Sequence, residues 1–333
     1  MYSEKGKCSS IKKKLIMYGG IFLLIYIFNF FIFRLMPGDP LDFGSSDISD
    51  NSMSINENTN YDNLQKYYGF DKPLGIQFID NIKQNIKGDF GNSIFYKQSV
   101  TSLIGQKLPW TLYIVFLSLV ISLIVGIIVA FISLKYIKLD IFIYGFLNVV
   151  SEIPSFLIGV VLLFTLAINV DFLPLSGGQT PFIEYESFTD FIVDIIRYSI
   201  LPVASLVIVN VGSFYLVARA SFFNIIEKEY VLTAKAKGLK DYKILISYIL
   251  KNSLPPIINK FFLGIGVTLG GSLLVENIFA YPGIGLLLRN AVNQRDYILI
   301  QAIFLVSTLF ILVSNIMADI VNEKLIKKEG RGI

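Results

Sequence analysis

No histidine occurs anywhere in this sequence of 333 residues, and cysteine occurs once, at Cys8. The first absence removes the commonest metal ligand and the commonest general base near neutral pH. The second rules out an internal disulfide. Zinc centres and histidine-based hydrolytic triads are therefore not expected. Charge is scarce as well: Asp, Glu, Lys and Arg make up 16% of the chain, against about a quarter in ordinary soluble domains. With 29 basic and 25 acidic residues the net charge is only +4, so no basic surplus points to nucleic acid. The pattern G-x-x-x-x-G-K-[ST] is missing too, so no loop of this kind can cradle nucleotide phosphates. No catalytic, cofactor or metal site is expected on this chain.

What the sequence has in quantity is apolar surface. Hydrophobic residues make up 54% of it and the mean hydropathy is +0.63, the profile of a membrane protein. About 20 apolar residues in a helix cross a hydrocarbon core about 30 Å thick. Six stretches qualify: Leu15–Phe33, Leu108–Leu134, Ile141–Val170 (interrupted by Glu152), Tyr198–Ala218, Phe261–Tyr281 and Tyr297–Ala318. The first follows Lys5, Lys7 and Lys12 to Lys14 as in a signal peptide, but no small-residue cleavage pattern comes after it. It reads as a retained span. The expected fold is all-α, with six transmembrane helices.

The distribution of charge orients those spans. With the N-terminus inside, the stretches 1–14, 135–140, 219–260 and 319–333 are cytoplasmic and carry 19 of the 29 Lys and Arg residues. The outer stretch 171–194 has five acids (Asp171, Glu184, Glu186, Asp190 and Asp194) and no base before Arg197. The positive-inside rule thus places both termini in the cytoplasm. The chain divides into residues 1–99, a span with an extracytoplasmic segment; residues 100–320, a five-helix core with a cytoplasmic loop at about 219–260; and a cytoplasmic tail, 321–333. Residues 42–65, rich in Asp, Asn and Ser, read as an outer loop.

The cytoplasmic loop is the most informative stretch. Residues 227–237 lack Gly and Pro and suit a helix, Gly238 offers a left-handed turn, residues 240–252 suit a second helix, and Pro255-Pro256 is expected to end it. A basic, exposed helical hairpin with small residues Ala234 and Ala236 fits a groove on a partner. A solvated amphipathic hairpin would have the same composition.

Here the sequence EYVLTAKAKGL, followed by KNSLPP, resembles the coupling loop of binding-protein-dependent ABC importer permeases. The family's Glu-Ala-Ala-like triplet falls at Leu232, Thr233 and Ala234, its Gly at Gly238, and its Leu-Pro at Leu254 with Pro255 or Pro256. The Glu and first Ala are absent and the spacing to Leu-Pro is long, departures shared by the branch that imports peptides and nickel. Further pieces resemble that branch in the same order: RLMPGDP at 34–40, YGFDKPLGIQF at 68–78, GDFGNS at 88–93, PSFLIGV at 154–160, LPLSG at 173–177, ENIFAYPGIGLL at 276–287 and RDY at 295–297. The resemblance covers nearly the whole chain. It implies the type I importer permease fold and a bacterial inner-membrane location. The implied partners are a second, similar permease, two cytoplasmic ATPase domains that bind the ATP, and an extracytoplasmic solute-binding protein. Thr233, Ala234, Gly238, Leu254, Pro255 and Pro256 would then form the ATPase-coupling loop. Substrates implied are peptides, nickel or a metal chelate.

Within the spans, Glu152 lies about 18 Å along the third by helical rise. A carboxylate there faces an interior or aqueous cavity, and Pro154 two residues on suggests a helix break beside a translocation path. The alternative is an inner-vestibule position. Asn148, Asn169 and Asn210 suit hydrogen bonds between helices. Gly264, Gly266, Gly270 and Gly271 suit close helix packing. Pro37–Pro40 and Pro282-Gly283 read as turns that end the first and fifth spans. An intramembrane enzyme lacks the paired reactive residues it needs, and an autonomous carrier or channel has no use for a docking hairpin.

Overall fold

A computed structural model describes residues 4–34 and 71–329. The expected turn at Pro37–Pro40, the outer loop at 42–65 and the last four residues lie outside the described residues. The described chain is helical, with no strand among the described residues. The helices are α1 (Glu4–Arg34), α2 (Leu74–Ile86), α3 (Val100–Lys135), α4 (Ile137–Ser151), α5 (Ser155–Leu162), α6 (Phe188–Ile226), α7 (Glu229–Ala236), α8 (Asp241–Ile244), α9 (Lys251–Ile278), α10 (Ile284–Asn293) and α11 (Tyr297–Glu329). Two π-helical turns, Leu163–Ala167 and Leu245–Leu250, extend α5 and join α8 to α9. Four runs are long and apolar enough to cross a membrane: Val100–Lys135, Phe188–Ile226, Asp241–Ile278 and Tyr297–Lys324. The pair Ile137–Ser151 and Ser155–Ala167 makes a fifth if taken as one span, and Ile16–Ile32 is a shorter apolar helix.

Two sequence expectations change, and one holds. As Pro154 suggested, the third span is broken: it bends by 95° between α4 and α5. Pro154 is the cause, since it has no N–H to continue α4 and instead starts α5 at φ −57°, ψ 131°. Conversely, Pro255-Pro256 does not end a helix. Both lie inside α9, where the side chains of Asn252 and Ser253 donate to the carbonyls of Tyr248 and Ile249 at 2.7 and 2.8 Å. The widened π-turn ahead of them gives the proline rings room, as kinked apolar helices do elsewhere. The fifth span therefore starts far earlier than Phe261. Finally, α11 runs on through residues expected to be a tail.

The chain forms two compact units. One holds residues 4–34, 71–109 and 286–312; the other holds 110–285 and 313–329. The first thus takes in residues 286–312, which the sequence reading grouped with the five-helix core. In it, Ser93 and the N–H of Phe95 both donate to the buried carboxylate of Asp296, and Asn29 donates to the carbonyl of Gln301 at 3.0 Å.

In the larger unit α6 is the hub, packed against α4, α5 and α9. Small residues allow the approach. A Cβ on Gly212 would lie 2.5 Å from the carbonyl oxygen of Leu147, and one on Gly126 would lie 2.7 Å from the Cβ of Phe214. In a membrane, where lipid is as apolar as leucine, such packing holds helices together. The glycine set on α9 is split. Gly264 and Gly271, seven residues apart, touch Leu119 and Ser155, whereas Gly270 faces open space. Of the three asparagines, Asn210 joins α6 to α9 by donating to Thr268 at 3.2 Å. Asn169 instead bonds the carbonyl of Thr165 within its own turn, and Asn148 is exposed.

Candidate functional site

The hairpin forms as α7, a turn at Gly238, and α8. Gly238 has φ +70°, donates to the carbonyl of Lys235 at 2.9 Å, and is followed by Leu239, which donates to Ala234 at 3.3 Å. These two bonds close the carbonyls of the last turn of α7, and the left-handed residue they need is glycine. On the inner face of α7, Val231 and Ala234 are buried, in one cluster with Tyr215, Ala218 and Phe222 of α6, Ile244, Ile249 and Ile257. Ala234, expected on the docking face, is therefore an anchor: its small size lets α7 lie close to the bundle. The outer face presents Tyr230, Leu232, Thr233, Lys235, Ala236 and Lys237. Leu254 and Pro255 are half-buried and Pro256 is exposed, further along in the first turns of α9.

At the root of the hairpin, Arg219 on α6 donates through Nε and Nη2 to both oxygens of Asp140 on α4. Tyr215 donates to the same carboxylate at 3.2 Å and shares a hydrogen bond with Ser133 of α3. The Arg219 guanidinium also lies over the rings of Tyr144 and Phe223. The Asp140 side chain is 4% exposed and that of Arg219 27%, so the carboxylate is held in a largely dry place while the guanidinium keeps some contact with water. The sequence reading passed over this pairing. Its signal was the single acid in the short inner loop 135–140, opposite an arginine that starts the next one.

From Asp140, α4 leads to the bend. There Ser151, Glu152 and Ser155 line a cleft of about 320 Å³ together with Asn210 of α6 and Thr268 and Gly271 of α9. Glu152 is exposed at its rim and is the only charged residue among those lining it. The structure thus brings Glu152, Asn210 and Thr268 together.

A second carboxylate carries a role the sequence reading missed. Glu276, near the end of α9, is fully buried. One of its oxygens accepts from the N–H of Gly285 at 2.6 Å and from the hydroxyl of Thr111, which in turn accepts from the N–H of Ile284 at 2.8 Å. Ile284 and Gly285 open α10, so Glu276 takes the free N–H of the residue nine positions later, Thr111 takes that of Ile284, and the carboxylate meets the positive end of the helix dipole. Between them the chain turns at Ala280, whose φ is +45°, and at Pro282-Gly283, as expected. A Cβ on Gly283 would lie 2.3 Å from the Glu276 carboxylate. The ring of Tyr281 packs edge-on against Trp110 at 5.6 Å. A carboxylate in an apolar run, nine residues before the second glycine of Pro-Gly-x-Gly, was the available signal.

The family described as binding-protein-dependent transport system inner membrane component matches residues 122–330. Among relatives, the chain is 33% identical to the oligopeptide transport system permease protein AppB of Bacillus subtilis, over 90% of this chain and 92% of that one. It is 30% identical to the dipeptide transport system permease protein DppB of Lactococcus lactis, over 90% and 93%. With the glutathione transport system permease protein GsiC of Pectobacterium atrosepticum it shares 27%, over 89% and 90%. Among solved structures, an amino acid ABC transporter crystallised with histidines matches with a TM-score of 0.50 and 15% identity, over 67% of this chain and 94% of that one. That likeness concerns the fold.

Proposed function

Since this chain belongs to the family of binding-protein-dependent transport system inner membrane components, we propose that it forms half of the gated path of an ATP-driven peptide importer, worked through the hairpin at 227–259. It is a multi-pass inner-membrane permease component and not itself an enzyme. In the proposed complex it pairs with a second permease, six spans cross the membrane with both termini in the cytoplasm, and two ATPase domains bind the ATP. An extracytoplasmic binding protein delivers the solute. The named relatives are oligopeptide, dipeptide and glutathione permeases, which favours peptides over nickel.

The observation that carries the coupling reading is the two-faced helix α7. Its outer face is free for a partner, while Val231 and Ala234 fasten its inner face to α6 and α9. A pull on α7 is thereby passed to the two helices that supply Asn210, Thr268 and Gly271 to the cleft, and through Asp140–Arg219 to the helix that ends at Glu152. Such a chain of packed elements with two arrangements is the physical requirement for alternating access. Thr233 and Gly238 sit at the partner side, Leu254, Pro255 and Pro256 where the hairpin enters α9, and Glu152 on the path.

Gly238→Trp tests this reading. The variant should reach the membrane in normal amount and hydrolyse ATP with its partners in proteoliposomes, while uptake of a peptide falls roughly tenfold, a coupling loss of ~1.4 kcal/mol. Normal uptake by this variant would sink the proposal.

A further inference from the structure

Among the described residues nothing answers the carboxylate of Glu152. It makes no ion pair and no side-chain hydrogen bond there, and no Lys or Arg lines its cleft. Along α4 it stands about 18 Å from Asp140 by helical rise, well away from the charged root of the hairpin. Its exposed neighbours are apolar: Val149, one turn earlier on α4, and Val267 and Leu274 on the α9 wall of the cleft. In a multi-pass membrane protein such a surface meets acyl chains or another apolar helix. A carboxylate set in it needs an aqueous space beside it.

The remaining polar groups at the cleft are neutral and rich in acceptors. The Oγ of Ser155 sits where glycine leaves room, 2.9 Å from the position that a Cβ on Gly271 would take. Asn210 and Thr268 are hydrogen-bonded to each other at 3.2 Å, and their oxygens keep lone pairs to spare. One full negative charge with hydroxyl and amide oxygens nearby suits a positive group that has several N–H donors, and an ammonium is such a group. A transition-metal ion asks for a denser set of ligands. No group of three or more His, Cys, Asp or Glu side chains that could hold one occurs among the described residues. The cleft volume of about 320 Å³ lies at the small end of the range for ligand sites, about 300–1,000 Å³. It therefore has room for one end of a peptide.

We propose that this cleft holds the amino-terminal ammonium of a peptide in transit, with Glu152 as its counter-charge and the oxygens of Ser155 and Asn210 as further acceptors. The inference rests on the importer reading above and adds which end of the cargo this chain engages. Apolar side chains of the same walls, Leu206 and Val209 of α6 among them, lie beside the first residue of such a peptide and ask little of its identity. Selection here is by charge.

A single thiol at the cleft tests this, because Cys8 is the sole cysteine. In a Cys8→Ser background, Ser151→Cys exchanges one small side chain of the cleft for another. Its labelling by a neutral maleimide is followed in the full chain with its co-purifying partners, in lipid vesicles without ATP. Trialanine should slow the labelling severalfold, and N-acetyl-trialanine at the same concentration should leave it unchanged. With Glu152→Gln added, trialanine should lose its effect. Equal protection by the two peptides, protection by neither, or protection that survives Glu152→Gln would each overturn the proposal. A thiol that the maleimide never reaches would mean that a partner chain covers the cleft, which also overturns it. Labelling requires no uptake, so a failure here leaves the importer reading standing, whereas normal uptake by Gly238→Trp strikes at that reading and not at the charge of the cleft.

Discussion

Two glycine turns of the larger unit, at Gly238 and Gly283, look alike in sequence and differ in what surrounds them. A Cβ on Gly238 would meet nothing within 4 Å, whereas one on Gly283 would strike Glu276 and Thr111. Gly238 is required by its backbone, at φ +70°; Gly283 is required by its neighbours. The first turn is finished on the inside and vacant on the outside. The second is closed around its own buried carboxylate and holds the start of α10 in place. On the proposed coupling reading, the open turn is the end that a partner covers, and the closed turn is an internal fixed point.

The comparison can be pressed first at the root that keeps the open turn in place. Asp140→Ala leaves Arg219, whose side chain is 27% exposed, without its carboxylate, a loss expected to cost about 1–3 kcal/mol. The thermal unfolding midpoint of the purified complex should fall accordingly; an unchanged midpoint would mean that the hairpin does not depend on its root. At the closed turn, Gly283→Ala forces a methyl group against the carboxylate and should cost about 1–3 kcal/mol. Glu276→Ala strips the acceptor from Gly285 and Thr111, with a similar cost of about 1–3 kcal/mol. The two are coupled, since removing the carboxylate makes room for the methyl group. The double variant should therefore be more stable than the sum of the single losses allows, and strict additivity would show that Gly283 is required for some other reason.

Much of this was legible in the sequence because it depends on local chemistry. Apolar run length located the four helices that are long and apolar enough to cross a membrane, the missing N–H of Pro154 located the bend, and Gly238 announced its left-handed turn. What was not legible depends on who lies opposite whom. The size of Ala234 suggested a docking surface, but which face of α7 packs inward depends on Tyr215 and Phe222, at least nine residues away in sequence. Pro255 and Pro256 signalled a helix end by the same rule that held for Pro154. Here both prolines continue inside α9, behind a π-turn, and no periodicity announces that. The Asp140–Arg219 pair and the Glu276 cap join residues 79 and nine positions apart, and each partner alone has an ordinary explanation.

The smallest effect on stability is expected at the open turn, and it discriminates most sharply. Gly238→Ala has free space and pays only for a left-handed backbone, about 1 kcal/mol. Gly238→Trp pays the same strain, because the additional atoms also project into space that the chain leaves empty. Both variants should therefore unfold at nearly the same temperature. They should part in uptake: alanine adds one methyl group to the docking face and should leave most transport intact, whereas tryptophan adds a bulk that a fitted partner groove cannot take. If alanine and tryptophan reduced uptake equally, the turn's backbone and not its outward space would be what matters, and the contrast between an open and a closed glycine would lose its functional meaning.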